Sequence, residues 1–452
     1  MSDTRADTRG PDLDDQRPVD HPPAMRPWWA GYAAVAAAAV LLAIAVVWGR
    51  GFVRRGPELF LFAPPFVGVW EALWSPGLWW ALAFAVLLVT WWVPIVERLK
   101  WGWLLLGSGV VALAWPVLLQ GSAGWDSLYT VLGNRRAYLP TAQSIDSPAA
   151  FLRTFVERLP DYPTHVKGHP PGATLAHWFF DLIGGGRSDV LTASFLIIAA
   201  SAAPAALLAM DRIAGRDAAR RAAPFVGLAP AAIWIASSPD AMFMGVMAWS
   251  VALGAIAITA KGRWALAAGF GAGVLAGLSL SFSYGSMLLL APLWALALLG
   301  GLRRRWAPLV PAAIGFAVIP GLFMSAGFNW FDGLAATHTA YLAGVAPERP
   351  DRYFVIANLA VLAVSVGPAT VAGLAWLRDR AAWWLVGGAL AGVIAADLSM
   401  LSKGEVERIW LPAVPFLVLA TSAIAGRMAR RGWLGVQLSV AMGLQIWLRS
   451  PW

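Results

Sequence analysis

The sequence Asp161-Tyr-Pro-Thr-His-Val-Lys-Gly-His-Pro-Pro-Gly172 lies within the chain's one long polar stretch between apolar segments, Gly121 to Asp189. That stretch carries three of the five histidines. The first nine residues of this run include a carboxylate, a phenol, two imidazoles and an ammonium group. Such groups can bind anions and move protons. We therefore expect any chemistry of this protein to be centred here.

The composition identifies a polytopic membrane protein. Hydrophobic residues make up 59% of the 452 residues, charged residues only 13%, and the mean hydropathy is +0.64, a balance that soluble domains do not show. The net charge of +9 comes from short basic clusters between apolar segments, which indicates membrane topology and not nucleic-acid binding. The chain has no cysteine, so a disulfide framework and a thiolate metal site are both excluded.

About thirteen segments are apolar enough to be transmembrane helices, since a hydrocarbon core of about 30 Å needs roughly 20 residues of helix. They are 28–49, 77–95, 101–119, 190–210, 223–237, 241–259, 264–282, 286–300, 307–326, 353–376, 382–400, 409–425 and 432–449. The predicted architecture is all-α, with residues 27–452 as a single integral membrane domain. Residues 1–26 are polar and rich in Pro and Asp, which predicts a disordered cytoplasmic tail.

The basic clusters set the predicted orientation. Placing the N-terminus in the cytoplasm puts Arg98, Arg220, Arg303 and Arg427 with their basic neighbours on the cytoplasmic side. Residues 121–189 then form an outer catalytic loop of a multi-pass plasma-membrane protein. Residues 170–183 are apolar but too short to cross, and counting them as a span would reverse everything after them.

Two amphipathic helices are predicted in this loop, at 148–159 and 170–183. The first starts at Ser147-Pro148, a capping residue followed by proline, and has one apolar face. The second has apolar residues at i, i+3, i+4 and i+7 from Leu175. Both should lie flat on the outer leaflet as juxtamembrane helices.

Asp126 is the best candidate for a general base. It follows the third predicted span in Gly124-Trp-Asp-Ser-Leu-Tyr129, where partial burial beside the indole and the phenol of Tyr129 would raise its pKa into a useful range. The simpler reading is a solvated aspartate or a helix cap.

Lys167, His165 and His169 are candidate phosphate ligands, with Tyr162 beside them. The two histidines would hold a metal only in a continuous helix, which Gly168 and Pro170 disfavour, so no metal site is assigned. The simpler reading is a polar turn with incidental histidines.

Charged residues at the ends of later spans are further site candidates, because charge near the hydrocarbon is expensive. Asp240 follows Ser238-Pro239 and would also serve as a helix cap. Asp397, Glu405 and Arg408 cluster between spans eleven and twelve. Arg408, in Arg408-Ile-Trp-Leu-Pro-Ala-Val-Pro415, is singled out as a second phosphate ligand.

Together these motifs resemble the GT-C glycosyltransferases, nearest the protein O-mannosyltransferase and 4-amino-arabinose lipid A transferase group. The resemblance covers roughly Trp101 to Pro415. It implies an inverting sugar transfer from a polyprenyl-phosphate donor, with Asp126 as base and Lys167, His169 and Arg408 at the donor phosphate. The chain departs from the family pattern in having three spans before the catalytic loop and a single aspartate, followed by Ser127, in place of an acidic pair.

Three other functions stay open. A transporter fits the number of spans, although the ionisable residues gather at the outer surface instead of mid-membrane. A lipid-linked glycan polymerase or ligase would use an arginine-rich outer loop, partly met by Arg135, Arg136, Arg153 and Arg158. A structural membrane protein is the third. The sequence leaves open the sugar, whether the acceptor is a glycan, lipid or protein, and a divalent cation shared by Asp126 and Asp240.

Overall fold

The computed structural model describes residues 27–54, 61–130 and 138–450, with the side chain of Thr130 left out. The predicted tail at 1–26 and the arginines at 135 and 136 lie outside these residues. The described chain is helical apart from a two-stranded antiparallel sheet of β1 (Val69–Trp70) and β2 (Leu448–Arg449). This agrees with the predicted all-α fold.

The first half of the chain carries longer helices on either side of the polar stretch and shorter ones within it. They are α1 (Trp29–Val53), α2 (Gly77–Leu87), α3 (Val93–Arg98), α4 (Trp101–Gly121), α5 (Ser127–Thr130), α6 (Leu139–Gln143), α7 (Pro148–Thr154), α8 (Thr164–Lys167), α9 (Pro171–Ile183), α10 (Ser188–Ala200), α11 (Ala202–Ala214) and α12 (Arg216–Ala222). A π-helical turn joins α2 to α3.

The second half continues the helical bundle with more broken elements. They are α13 (Asp240–Thr259), α14 (Gly262–Phe282), α15 (Ser286–Leu289), α16 (Ala291–Leu302), α17 (Leu309–Ser325), α18 (Trp330–Leu342), α19 (Asp351–Val366), α20 (Pro368–Trp376), α21 (Ala382–Leu398), α22 (Val406–Ile409), α23 (Val414–Val418) and α24 (Arg427–Trp447).

Within the described ranges, six helices are long and apolar enough to cross a membrane, and up to eight if each of two bent helix pairs counts as one span. The six are Trp29–Val53, Gly77–Arg98, Trp101–Gly121, Ser188–Ala214, Asp240–Thr259 and Gly262–Phe282. The chain is therefore a multi-pass membrane protein, as predicted, but thirteen spans are not confirmed. Several of the predicted segments form no single helix long enough to meet this criterion.

Proline explains much of this difference. The segment 223–237 forms turns and a 3₁₀ stretch at Pro230–Trp234, and 409–425 is split into short helical pieces that contain Pro412 and Pro415. Proline lacks the backbone N–H and clashes with the preceding turn, so it interrupts a long helix. Both segments are largely buried against other helices, which accounts for their apolar composition.

The two helices of the polar stretch are present with shifted bounds. Ser147 caps α7 as predicted, its hydroxyl accepting a hydrogen bond from the backbone N–H of Ala150 at 3.3 Å. The helix ends at Thr154, earlier than the predicted 159, and a 3₁₀ turn follows at Leu159–Asp161. The second helix, α9, matches the prediction closely.

Small residues set the closest helix contact, between α14 and α17. A β-carbon added at Gly273 would lie 2.0 Å from the carbonyl oxygen of Ala312, and one at Gly277 would lie 2.5 Å from that of Phe316. Close approach of backbones at small residues is a principal way in which membrane helices pack. This packing fixes the end of α14, which reaches the candidate site.

A buried glutamine stabilises the bent pair α19 and α20, whose axes differ by 97°. The side-chain amide of Gln437 on α24 donates to the carbonyl of Val366 at 2.8 Å and accepts from the N–H of Ala369 at 3.1 Å. These are backbone groups that a helix end leaves unsatisfied. The break between α19 and α20 is therefore stabilised by specific contacts. The chain turns at Gly367, which has a φ of 83°.

Basic residues from separate segments meet at one end of the bundle. Arg220 donates to the carbonyls of Val96 and Leu99 at 2.5 and 2.9 Å, and Arg430 forms an ion pair with Glu97 at 2.9 Å. This agrees with the prediction that these clusters share one side of the membrane. Which side faces the cytoplasm stays a prediction.

We predict that Gly273→Ala destabilises the protein by about 2 kcal/mol, because the added methyl group must push α14 away from α17. The matched control is Gly321→Ala on α17, where an added β-carbon meets nothing within 4 Å. Thermal unfolding in detergent should show a lower Tm for the first variant only. Equal Tm values for the two variants would contradict this account of the packing.

Candidate functional site

A buried arginine is the centre of the candidate site. Arg408 lies on α22 and forms ion pairs with Asp240 at 2.8 Å, through Nη1, and with Glu405 at 2.5 Å, through Nη2. The side chains of Arg408 and Asp240 are only 8% and 5% exposed, whereas that of Glu405 is 27% exposed. Burial lowers the pKa of Arg408, but the two carboxylates outweigh it and leave the pKa above its ordinary value. The guanidinium is therefore charged at all working pH values.

Asp240 enters this cluster from the first turn of α13. Its carboxylate accepts a hydrogen bond from the Ser238 hydroxyl at 2.7 Å in addition to the contact with Arg408. The backbone N–H of Asp240 donates to the same hydroxyl at 3.2 Å. The simpler reading of Asp240 as a helix cap is therefore insufficient, because its carboxylate is bonded to a residue 168 positions away.

A strained turn brings Glu405 to Arg408. Glu405 has a φ of +62° and Met400 a φ of +54°, in the left-handed region that costs about 1 kcal/mol or more for residues with a β-carbon. Asn358 on α19 holds the turn by donating to Asp397 and to the carbonyl of Ser402, both at 3.0 Å, and by accepting from the N–H of Gly404 at 3.3 Å.

The histidine turn packs against the same cluster. His169 is buried and its Nδ1–H donates to the carbonyl of Phe282, at the end of α14, at 3.0 Å. Burial lowers the pKa of His169, and the charge of Arg408 also acts to lower it, against Asp240. Burial and then Arg408 lower the pKa of His165 to about 4. Both imidazoles are therefore neutral near pH 7.

The ring of Tyr138 packs among the rings of three histidines. Its ring lies 4.7 Å from that of His177, 5.7 Å from that of His169 and 6.2 Å from that of His165. Burial, and then the charge of Asp240, raises the pKa of the Tyr138 phenol well above its usual value. The phenol therefore stays protonated and available as a hydrogen-bond donor.

The structure brings together five of the residues proposed from the sequence: His165, His169, Asp240, Glu405 and Arg408. Asp397 is linked to the turn that carries Glu405 through Asn358, which donates a hydrogen bond to its carboxylate. Tyr162 is buried and stacks on Phe155 with ring centroids 5.4 Å apart.

None of the contacts among the described residues joins Asp126 or Tyr129 to this cluster. Asp126 is exposed, and its role as base stays a prediction. Tyr129 lines an apolar cavity of about 440 Å³ between α4 and α10. Lys167 is half-buried, and its backbone carbonyl accepts a hydrogen bond from Thr337 at 2.9 Å.

Sequence reasoning missed Tyr138 and Asn358. Tyr138 is an isolated aromatic residue, and Asn358 is a single amide within an apolar helix. Asn358 could have been found from the sequence, because a polar residue in an apolar span needs a hydrogen-bond partner.

The arrangement combines a fixed cation, two carboxylates and two neutral imidazoles where the ends of α13, α14 and α22 meet. It is suited to hold an anion next to proton donors and acceptors. Among the residues that the structure describes, no group of three or more His, Cys, Asp or Glu side chains could hold a metal ion.

The fold and the site define a multi-pass α-helical membrane protein with a buried ionisable cluster at helix ends. One solved structure that resembles the chain is the crystal structure of ArnT from Cupriavidus metallidurans in the apo state. The match has 15% sequence identity and a TM-score of 0.39, and covers 67% of this chain and 60% of the ArnT chain. No protein-family model and no curated protein matches the chain.

We predict that His177 makes the protein acid-sensitive. Burial lowers its pKa to about 4, its Nδ1–H donates to the Ala173 carbonyl at 2.8 Å, and its Nε2 has no hydrogen-bond partner in the described chain. Because the unfolded state takes up a proton near pH 6.5 and the folded state only near pH 4, stability is lost as the pH falls between these values. The loss amounts to roughly 3 kcal/mol at most.

His177→Phe should therefore recover part of the Tm that the wild type loses between pH 7 and pH 4.5, since the phenyl ring can still stack on Tyr138. The same substitution at the exposed His338 is the control and should leave the acid loss unchanged. An acid loss as large in His177→Phe as in the wild type would rule out this role.

Proposed function

We propose that the protein is a membrane glycosyltransferase that moves a sugar from a polyprenyl-phosphate donor to a cell-envelope acceptor at the outer face of the plasma membrane. The observation that supports this best is the convergence of Arg408, Asp240 and Glu405 with His165 and His169. Buried ionisable residues in membrane proteins are expensive and mark functional sites. A lipid-phosphate leaving group needs a cation close to the oxygen on which negative charge develops.

The proposed reaction inverts the configuration at the anomeric carbon. A base takes the proton of the acceptor hydroxyl while the acceptor oxygen bonds to the anomeric carbon. The bond from that carbon to the phosphate oxygen breaks, and its electron pair stays on the polyprenyl phosphate. Arg408 stabilises that charge, and the neutral His165 donates a hydrogen bond to the phosphate or sugar. His169, whose Nδ1–H is bonded to the Phe282 carbonyl, accepts a hydrogen bond from a hydroxyl of the donor through Nε2. Lys167 stays a proposed phosphate ligand.

Asp126 is the proposed base. The other carboxylate considered, Asp240, is occupied by Arg408 and Ser238, whereas Asp126 is exposed at the end of α4 and free to reach an acceptor hydroxyl from solvent. Inversion requires nucleophile and leaving group on opposite faces of the sugar, so a donor whose phosphate binds Arg408 must place its anomeric carbon next to Asp126.

The transporter alternative has one observation in its favour, the broken pair α19 and α20, because transporters often bind substrates at broken helices. Gln437 closes this break through the backbone of Val366 and Ala369. The charged cluster lies elsewhere, on α13 and α22. Sugar transfer from a lipid-linked donor is therefore better supported than transport.

Transfer from a polyprenyl-phosphate sugar in proteoliposomes tests the function. Arg408→Gln should lower kcat/KM by about 100-fold or more, since it removes the cation at the leaving group. Wild-type protein that transfers no sugar from any polyprenyl-phosphate donor but moves solutes across the vesicle membrane would replace this proposal with the transporter.

Asp126→Asn tests the base separately. We expect kcat to fall by about 100-fold or more while donor binding stays intact, because an amide cannot accept the proton. Asp146→Asn, a change of an exposed aspartate in the same stretch, is the control and should keep full activity. Full activity of Asp126→Asn would remove Asp126 from the mechanism.

A further inference from the structure

The geometry points to the carboxylate of Glu405 as an occupant of the donor-phosphate position on Arg408, from which a bound phosphate displaces it. This inference rests on the proposed function, and it adds a competitive contact within the site. A carboxylate and a phosphate present similar oxygens to a guanidinium, and both bind it through its planar N–H groups.

The two carboxylates on Arg408 differ in how firmly they are held. Asp240 is 5% exposed and is also bonded to Ser238 at 2.7 Å, so it is fixed from two sides. Glu405 is 27% exposed and contacts the Nη2 atom of Arg408 at 2.5 Å. Because Arg408 itself is 8% exposed, the more accessible Glu405 lies on the route by which an anion would reach it.

The backbone on both sides of Glu405 is held, so any displacement is confined to its side chain. Asn358 anchors the turn up to Gly404, but Glu405 itself keeps a φ of +62°, which a residue with a β-carbon adopts at a cost. Its carbonyl accepts hydrogen bonds from the N–H groups of Arg408 and Ile409, both at 3.2 Å. Displacement therefore moves the Glu405 side chain about its own torsions and leaves the backbone in place. Asp240 begins the regular helix α13.

The charge of the three residues at the centre of the site favours such an exchange. With His165 and His169 neutral, Arg408, Asp240 and Glu405 together carry a net charge of about −1. An anionic donor would be repelled by this cluster unless Glu405 withdrew. The nearby Lys403 and Arg349 keep their charges but are held in place by backbone carbonyls. Lys403 bonds to the Ala346 and Arg349 carbonyls at 3.0 and 3.1 Å, and Arg349 donates to the Lys403 carbonyl.

The test measures binding of polyprenyl phosphate to the purified full chain in detergent, with polyprenol as the phosphate-free comparison. Removing the competing carboxylate by Glu405→Gln should tighten binding. If Glu405 occupies Arg408 about nine-tenths of the time, the apparent Kd falls about tenfold. Polyprenol binding should not change.

Three variants complete the design. Glu405→Gly removes the same carboxylate and suits the left-handed backbone, so it provides a folded variant and should also tighten binding. Glu348→Gln removes an exposed negative charge from the adjacent 346–348 turn and should leave the Kd unchanged. Asp240→Asn should weaken binding, because the loss of the partner that positions Arg408 outweighs the removal of one negative charge.

Binding that is unchanged or weaker in both Glu405 variants would overturn the inference while leaving the glycosyltransferase proposal in place. Inorganic phosphate, assayed in parallel, separates the two proposals. If it binds the Glu405 variants more tightly than the wild type but polyprenyl phosphate binds none of them, the anion site is supported and the lipid donor is wrong. Absence of binding of either probe to every variant would overturn both.

Discussion

The charge on Arg408 is the constraint on which the rest of the site depends. Taking a guanidinium out of water costs several kcal/mol, and this cost is met only if good partners are placed beside it. Asp240 and Glu405 are those partners at 2.8 and 2.5 Å. Because Asp240 begins α13 and Arg408 lies on α22, the ion pair forms only after helices distant in sequence have packed at the same end.

Several uncharged interactions hold these helix ends in register. The close contact of α14 with α17 fixes the end of α14, where the Phe282 carbonyl receives the hydrogen bond of His169. Asn358 fixes the turn before Glu405 through three hydrogen bonds. One side of the site is therefore rigid, and the Glu405 side combines a strained backbone with partial exposure.

The membrane class of the chain could be predicted from sequence because hydropathy reports how much apolar surface a segment must bury. It does not report what covers that surface. The segments 223–237 and 409–425 are apolar because protein surrounds them, yet they read as spans since lipid and protein interior favour the same side chains. Pro230 and Pro412 were the local signals that these segments are not long helices.

The candidate site was predictable only as separate pieces. His165, Asp240, Glu405 and Arg408 could each be singled out, because ionisable groups beside apolar spans need a reason to be there. Their meeting could not be predicted, since it depends on the packing of helices that are far apart in the chain. Arg408 shows the consequence most clearly. From sequence it is a cation ready to bind phosphate, whereas in the fold two carboxylates already neutralise it. The charge that a ligand meets is the sum over the assembled cluster. The role of a residue in anion binding therefore depends on its partners as much as on its own type.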